Sequence, residues 1–163
     1  DDPGSVLALD TGPGNMLIDY AAGRATGGAQ GYDKDGRLAA RGQVSAGLLA
    51  ELMQHPYLRR PIPKTTGREQ FGAAFDAEVW ARAKERGLAG EDIVATLTAF
   101  TATSITDAYH RYLPAMPDEV ILGGGGANNP VLVAMLKEQL APARLLKSES
   151  FGLPGDAKEA IAF

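Results

Sequence analysis

Cysteine is absent from this 163-residue chain, which excludes a disulfide framework, cysteine-ligated zinc and a cysteine nucleophile. That absence agrees with a reducing, cytoplasmic setting. Only two histidines occur, His55 and His110, far apart in sequence, so a histidine-rich metal site is not expected. No apolar run approaches the ~20 residues needed to cross a bilayer, and the first residues do not read as a signal peptide. Neither a membrane nor a nucleic acid is an expected partner. The formal net charge is −4, which supplies no electrostatic footprint for a polyanion. The one basic stretch, at 58–68, is broken by Pro61 and Pro63 and has no interleaved aromatics. An acidic surface still permits phosphate binding, through backbone amides and a bound cation.

What is present is the balance of a globular protein: 45% apolar and 22% charged residues. The length suits a single domain spanning 1–163. Twenty glycines include two tight groups, at 12–14 and 123–126. Glycines beside strands and helices mark tight turns or close approach to a ligand.

The run Val6-Leu7-Ala8-Leu9 reads as a buried strand ending at Asp10. Pro13 is expected in the first turn of a helix through Leu17, Ile18 and Ala21. Asp10 would then stand at a strand's carboxyl end, the usual ligand crevice of an open α/β sheet. Ser45 caps a helix bearing Leu48, Leu49, Leu52 and Met53, and Pro56 ends it. Thr66 and Glu69 have capping-box spacing before an apolar stripe of Phe71, Phe75 and Val79 that ends at Gly87. The longest helix runs from Asp92 to Tyr112, with small Ala, Thr and Ser residues that imply close packing. A strand at 120–122 feeds the glycines, Asn129 and Pro130 open another helix, 143–146 reads as a third strand, and Asp156 begins a last helix. So short a final helix is marginal without something packed on it, and the sheet is sparse. A fragment of a longer protein is therefore expected.

Asp10-Thr11-Gly12 places a carboxylate where it can take a proton or hold Mg²⁺ through water, with Thr11 and Gly12 near phosphate oxygens. The same residues also fit an Asx-type turn. At 123–128, GGGGAN presents backbone amides unobstructed by side chains, as a nucleotide needs, although a surface loop would read alike. It is not a P-loop, because no Lys-Ser or Lys-Thr follows. Lys64 or Arg68 could bind a phosphate or carboxylate, with Arg favoured for bidentate geometry. Asp107 suits either a core or a site position. Glu159 could meet substrate hydroxyls or simply carry first-turn charge.

Together the segments DTGPGNMLID (10–19), PKTTGREQF (63–71), TLTAFTATSI (96–105), ILGGGGANNPVL (121–132) and the terminal GLPGDAKEAIAF (152–163) resemble the anhydro-N-acetylmuramic acid kinase family. That family lies in the actin/hexokinase/Hsp70-like ATPase superfamily. The resemblance runs essentially end to end. It implies an α/β fold: an incomplete ribonuclease H-like ATPase domain with a central mixed sheet and flanking helices. It also implies ATP and Mg²⁺ as cofactors and 1,6-anhydro-N-acetylmuramic acid as substrate, the reaction being hydrolytic ring opening with phosphorylation during peptidoglycan recycling. Asp10 matches the catalytic base. Thr11 and Gly12 resemble a phosphate-binding turn, and Gly124, Gly125, Gly126 and Asn128 resemble the adenosine-side loop. Arg68 and Glu159 are the candidate substrate-side residues.

Family members carry an N-terminal domain, with a phosphate hairpin and much of the sugar cleft, that these residues do not include. That missing domain is an expected partner, a homodimer is compatible with the resemblance, and the isolated chain is expected to be inactive. Two other readings stay open. Another carbohydrate or acetate-type kinase would differ on a substrate panel, and a noncatalytic nucleotide-binding module would bind ATP without altering a sugar.

Overall fold

The structure is a computed structural model that describes residues 6–152. Its helices are α1 (Met16–Ala25), α2 (Ala46–Leu52), α3 (Arg68–Phe71), α4 (Ala73–Glu85), α5 (Gly90–Tyr112) and α6 (Pro130–Gln139). Two strands, β1 (Glu119–Leu122) and β2 (Arg144–Lys147), pair in parallel with Glu119 opposite Arg144 and Leu122 opposite Lys147. Helix α6 is the crossover between them, as parallel pairing requires. None of the described helices is long and apolar enough to cross a membrane.

Helix α5 is the spine. Its residues from Ile93 to Ala102 are all buried, and α1, α2 and α6 pack on it. Ile93, Leu97 and Phe100 join Leu17, Leu48, Leu52 and Val79 in the larger apolar core. Ala102 joins a second core with Val120, Leu132, Leu136 and Leu140, which seats the sheet. Capping signals behave as the sequence suggests at two helices. Ser45 Oγ accepts from the Leu48 amide, and Asn129 Oδ1 accepts from Val131 and Leu132 at 3.0 and 3.2 Å, with Pro130 at the first position.

Four expectations are corrected. Val6–Leu9 is not a strand. Val6 is 79% exposed, and the segment's anchor is the Asp10 amide donating to the Lys64 carbonyl. An apolar run becomes a buried strand only between neighbours, and no strand flanks this one among the described residues. For the same reason a central mixed sheet is not observed: the described sheet is two parallel strands at one end of a helical body. The Thr66–Glu69 capping box does not form either, because Gly67 is the N-cap of α3 and the Thr66 amide donates to Asp10 instead. Finally, Pro13 precedes α1 rather than opening it, since the backbone first turns through Gly14 at φ 58°. The helix expected from Asp156 lies outside the described residues.

Between β1 and the 7–10 segment lies an open trough of about 780 Å³, lined by Tyr109 and Tyr112 of α5 and by Leu113 just beyond it. Ile121 of β1 is 57% exposed beside it. An uncovered strand edge with an apolar floor is a template for further pairing.

Phe71 marks where α3 gives way to α4 at Gly72. It is fully buried and meets His55, Tyr57, Phe75 and Phe100 at ring separations from 4.8 to 6.2 Å. Phe71→Ala is expected to cost about 3–5 kcal/mol by opening that cluster, measured as a drop in the denaturation midpoint.

Candidate functional site

The short turn at 10–15 is laid directly on α5. Thr101 Oγ1 donates to the Gly14 carbonyl at 2.8 Å. A Cβ on Gly12 would sit 2.6 Å from Ser104 Oγ, so only glycine lets the chain approach this closely. At the far end of the turn, Asn15 packs against the glycine loop. A Cβ on Gly126 would lie 2.7 Å from Asn15 Oδ1, and one on Gly125 would lie 3.3 Å from its Nδ2. The loop itself is a 3₁₀ turn, Gly125–Asn128, entered through Gly124. The first amides of such a turn have no partner within it.

Asp10 is held from three sides. Its amide donates to Lys64 O at 3.2 Å, its carbonyl accepts from Tyr57 Oη at 2.8 Å, and its Oδ2 accepts from the Thr66 amide at 2.9 Å. Burial, with the Asp10 charge second, pushes the Tyr57 phenol above its ordinary value. Among the described residues one donor orients the Asp10 carboxylate, which leaves its second oxygen for another.

The candidate residues do not share one hollow. Asp10 and Thr11 line the trough beside β1. Gly125 and Asn128 line a second cavity of about 420 Å³ with Asn15, Asp19, Tyr32 and Asp33. Arg68 lines a third, of about 560 Å³, with Arg24 and Asp76. The 10–15 turn links the first two, and Asp19 borders the second and third. Glu159 lies outside the described residues. Lys64, read as a phosphate or carboxylate ligand, is instead buried. Its Nζ donates to Leu58 O at 3.1 Å and stands 4.9 and 5.2 Å from the Tyr57 and Tyr112 rings. Asp107 pairs with Arg111 one turn on, at the helix surface.

The chain matches the family model described as anhydro-N-acetylmuramic acid kinase over residues 2–163. The chain belongs to that family. Curated relatives bearing the same description include one from Caldanaerobacter subterraneus subsp. tengcongensis, 44% identical over 97% of this chain and 40% of its own length. One from Cyanothece sp. is 45% identical over 97% and 42%. One from Streptomyces coelicolor is 44% identical over 96% and 39%. The chain thus spans about two fifths of the length of the relatives it matches.

Several residues of the candidate site are not legible in the sequence. Tyr57 follows a helix stop and looks like core. Asn15 and Asp19 lie inside the DTGPGNMLID segment, four apart on one helical face, and that spacing was the available signal. Burial, and secondarily the Asp33 carboxylate, push Asp19 from 3.8 up to about 6. The folded chain therefore holds this proton more tightly than the unfolded chain, and stability falls as pH rises through that window. Asp19→Asn is expected to raise stability by about 1 kcal/mol at pH 7.5, a value discounted for partial solvation. The gain should disappear near pH 4, as checked by paired denaturant titrations.

Proposed function

We propose that this chain is the C-terminal, nucleotide-contacting half of a two-domain cytoplasmic kinase. In this reading the whole protein converts 1,6-anhydro-N-acetylmuramic acid, water and ATP to N-acetylmuramic acid 6-phosphate and ADP, in peptidoglycan recycling. Family membership supports the activity. The single structural observation that carries the assignment of parts is the 10–15 turn. It has a pinned, half-satisfied carboxylate at one end and contact with a bare glycine loop at the other.

Asp10 is the general base. It takes a proton from water as the water oxygen bonds to the anomeric carbon. The bond from that carbon to the bridging oxygen breaks, and the released oxygen takes the γ-phosphoryl group while ADP leaves. The Thr66 amide keeps the carboxylate aimed, which is the orientational part of the catalysis. Thr11 and Gly12 meet phosphate oxygens, and Gly124, Gly125, Gly126 and Asn128 hold the adenosine side. Arg68 and Glu159 serve the sugar or its supporting shell.

Among the described residues no group of three acidic or histidine side chains could hold a metal ion. Mg²⁺ would be carried mainly by nucleotide phosphates and water, as is usual for this ion. Asp10 and Thr11 would hold such an ion through water, and it would neutralise charge on the transferring phosphate.

The remaining domain covers the trough beside β1, completing a ribonuclease H-like sheet. The β1 edge and the 6–9 segment, both without a further strand partner among the described residues, support that reading. The 163-residue chain alone is accordingly expected to phosphorylate no sugar.

In the full-length protein, Asp10→Asn should lower turnover by at least about a hundredfold while nucleotide affinity and the melting midpoint stay near wild type. A coupled ADP-release assay with 1,6-anhydro-N-acetylmuramic acid, acetate and unmodified hexoses measures this. Undiminished turnover in the variant removes Asp10 as base. Acetate or a simple hexose as the preferred acceptor replaces the assigned substrate, and ATP binding without any acceptor leaves a noncatalytic module.

A further inference from the structure

We infer that Tyr57 is a positioning residue for the reaction at Asp10, its phenol fixing the backbone from which the carboxylate projects. This rests on the reading of Asp10 as the general base. Tyr57 is fully buried, yet its one polar side-chain atom is not used within the core. Tyr57 Oη donates to the Asp10 carbonyl at 2.8 Å, across 47 positions of sequence. Asp10 is itself exposed, so water would serve that carbonyl equally well and the backbone does not need the bond to be satisfied. Phenylalanine would fill the same space against Phe71, which meets the Tyr57 ring edge-on at 5.6 Å. Packing therefore accounts for the ring but not for its hydroxyl.

Tyr57 is held as a rigid post. It stands in the 3₁₀ turn Pro56–Arg59, with its amide donating to His55 Nδ1 at 3.2 Å and its carbonyl accepting from the Arg60 amide at 3.1 Å. Lys64 Nζ lies 4.9 Å from the ring centre. Asp10, by contrast, follows a segment with no strand partner among the described residues, so local bonds set its position. Its amide donates to the Lys64 carbonyl at 3.2 Å, and its carbonyl is held by Tyr57. The peptide planes on both sides of its Cα are thereby constrained, and with them the direction in which Cβ leaves. The Thr66 amide holds the carboxylate at the far end. Lys64 and Thr66 are two residues apart and can shift as one. The Tyr57 bond is the one made by a fully buried side chain.

A reacting group displaced by about 1 Å can lose on the order of a hundredfold in rate. Tyr57→Phe keeps the ring and removes the bond. In full-length protein this variant is expected to lower kcat at least about tenfold, with KM for ATP and for 1,6-anhydro-N-acetylmuramic acid within about twofold of wild type. The melting midpoint should stay within about 4 °C. Placed beside Asp10→Asn, Tyr57→Phe is expected to cause no further loss of turnover, since no carboxylate base is left to aim. A purely structural phenol gives other results: a lower midpoint at unchanged kcat, and losses that add in the double variant.

Unchanged kcat in folded Tyr57→Phe protein overturns the inference. So does a rise in KM that accounts for the whole loss in kcat/KM, an additive double variant, or a Tyr57→Phe chain that does not fold. If Asp10→Asn turnover lies below detection, the split between kcat and KM decides alone. Full turnover in Asp10→Asn removes the base reading itself, whereas an inactive Asp10→Asn beside a fully active Tyr57→Phe removes only the role of Tyr57.

Discussion

A helix buried on nearly all sides, yet rich in hydroxyls, is the constraint on which the rest of this structure depends. Thr96, Thr98, Thr101, Ser104 and Thr106 of α5 are all buried. A buried hydroxyl without a partner would cost on the order of 1–3 kcal/mol. Four of them remove that cost within the helix. Thr96, Thr98 and Thr106 donate to carbonyls one turn back, at 2.7, 2.8 and 3.0 Å, and Ser104 donates to the Thr101 carbonyl at 2.9 Å. Small, self-satisfied side chains leave the helix surface smooth enough for neighbours to approach closely. Thr96 also accepts from the Ser45 amide and so ties the start of α2 to the spine.

Thr101 is the exception, because its hydroxyl leaves the helix to hold Gly14. That one bond, with Gly12 seated over Ser104, fixes the turn on which both halves of the candidate site hang. Asp10 is then aimed by a second network, in which Lys64 and Tyr57 are buried together. Burying an ammonium group is costly unless it is well partnered. Here carbonyl acceptors and two aromatic faces supply the partners. A lysine that reads as a surface phosphate ligand becomes the internal clamp of the loop that orients the carboxylate.

Much of the helical architecture was legible beforehand, because it is written in local rules. The Ser45 and Asn129 caps, the α5 span and the apolar faces of α2 and α6 all follow from spacing and cap chemistry. Legibility failed where partners came from far along the chain. Val6–Leu9 has strand composition but no strand neighbour among the described residues. Thr66 and Glu69 have the spacing of a box, yet the Thr66 amide finds Asp10, a residue 56 positions away. Arg68 and Asp10 are both attractive site residues in sequence, and they face different cavities.

The sequence by itself determined which residue types are at hand and where helices can start and stop, since periodicity and caps act over a few residues. It also determined family membership, because several unusual segments recur in one order. Only the tertiary structure decided which groups meet: Asn15 on the glycine loop, Tyr57 and Thr66 on Asp10, Lys64 inward, Asp19 between two cavities. Those meetings depend on how closely α5 lets its neighbours approach. Close approach is a property of packed surfaces, not of any one stretch of chain.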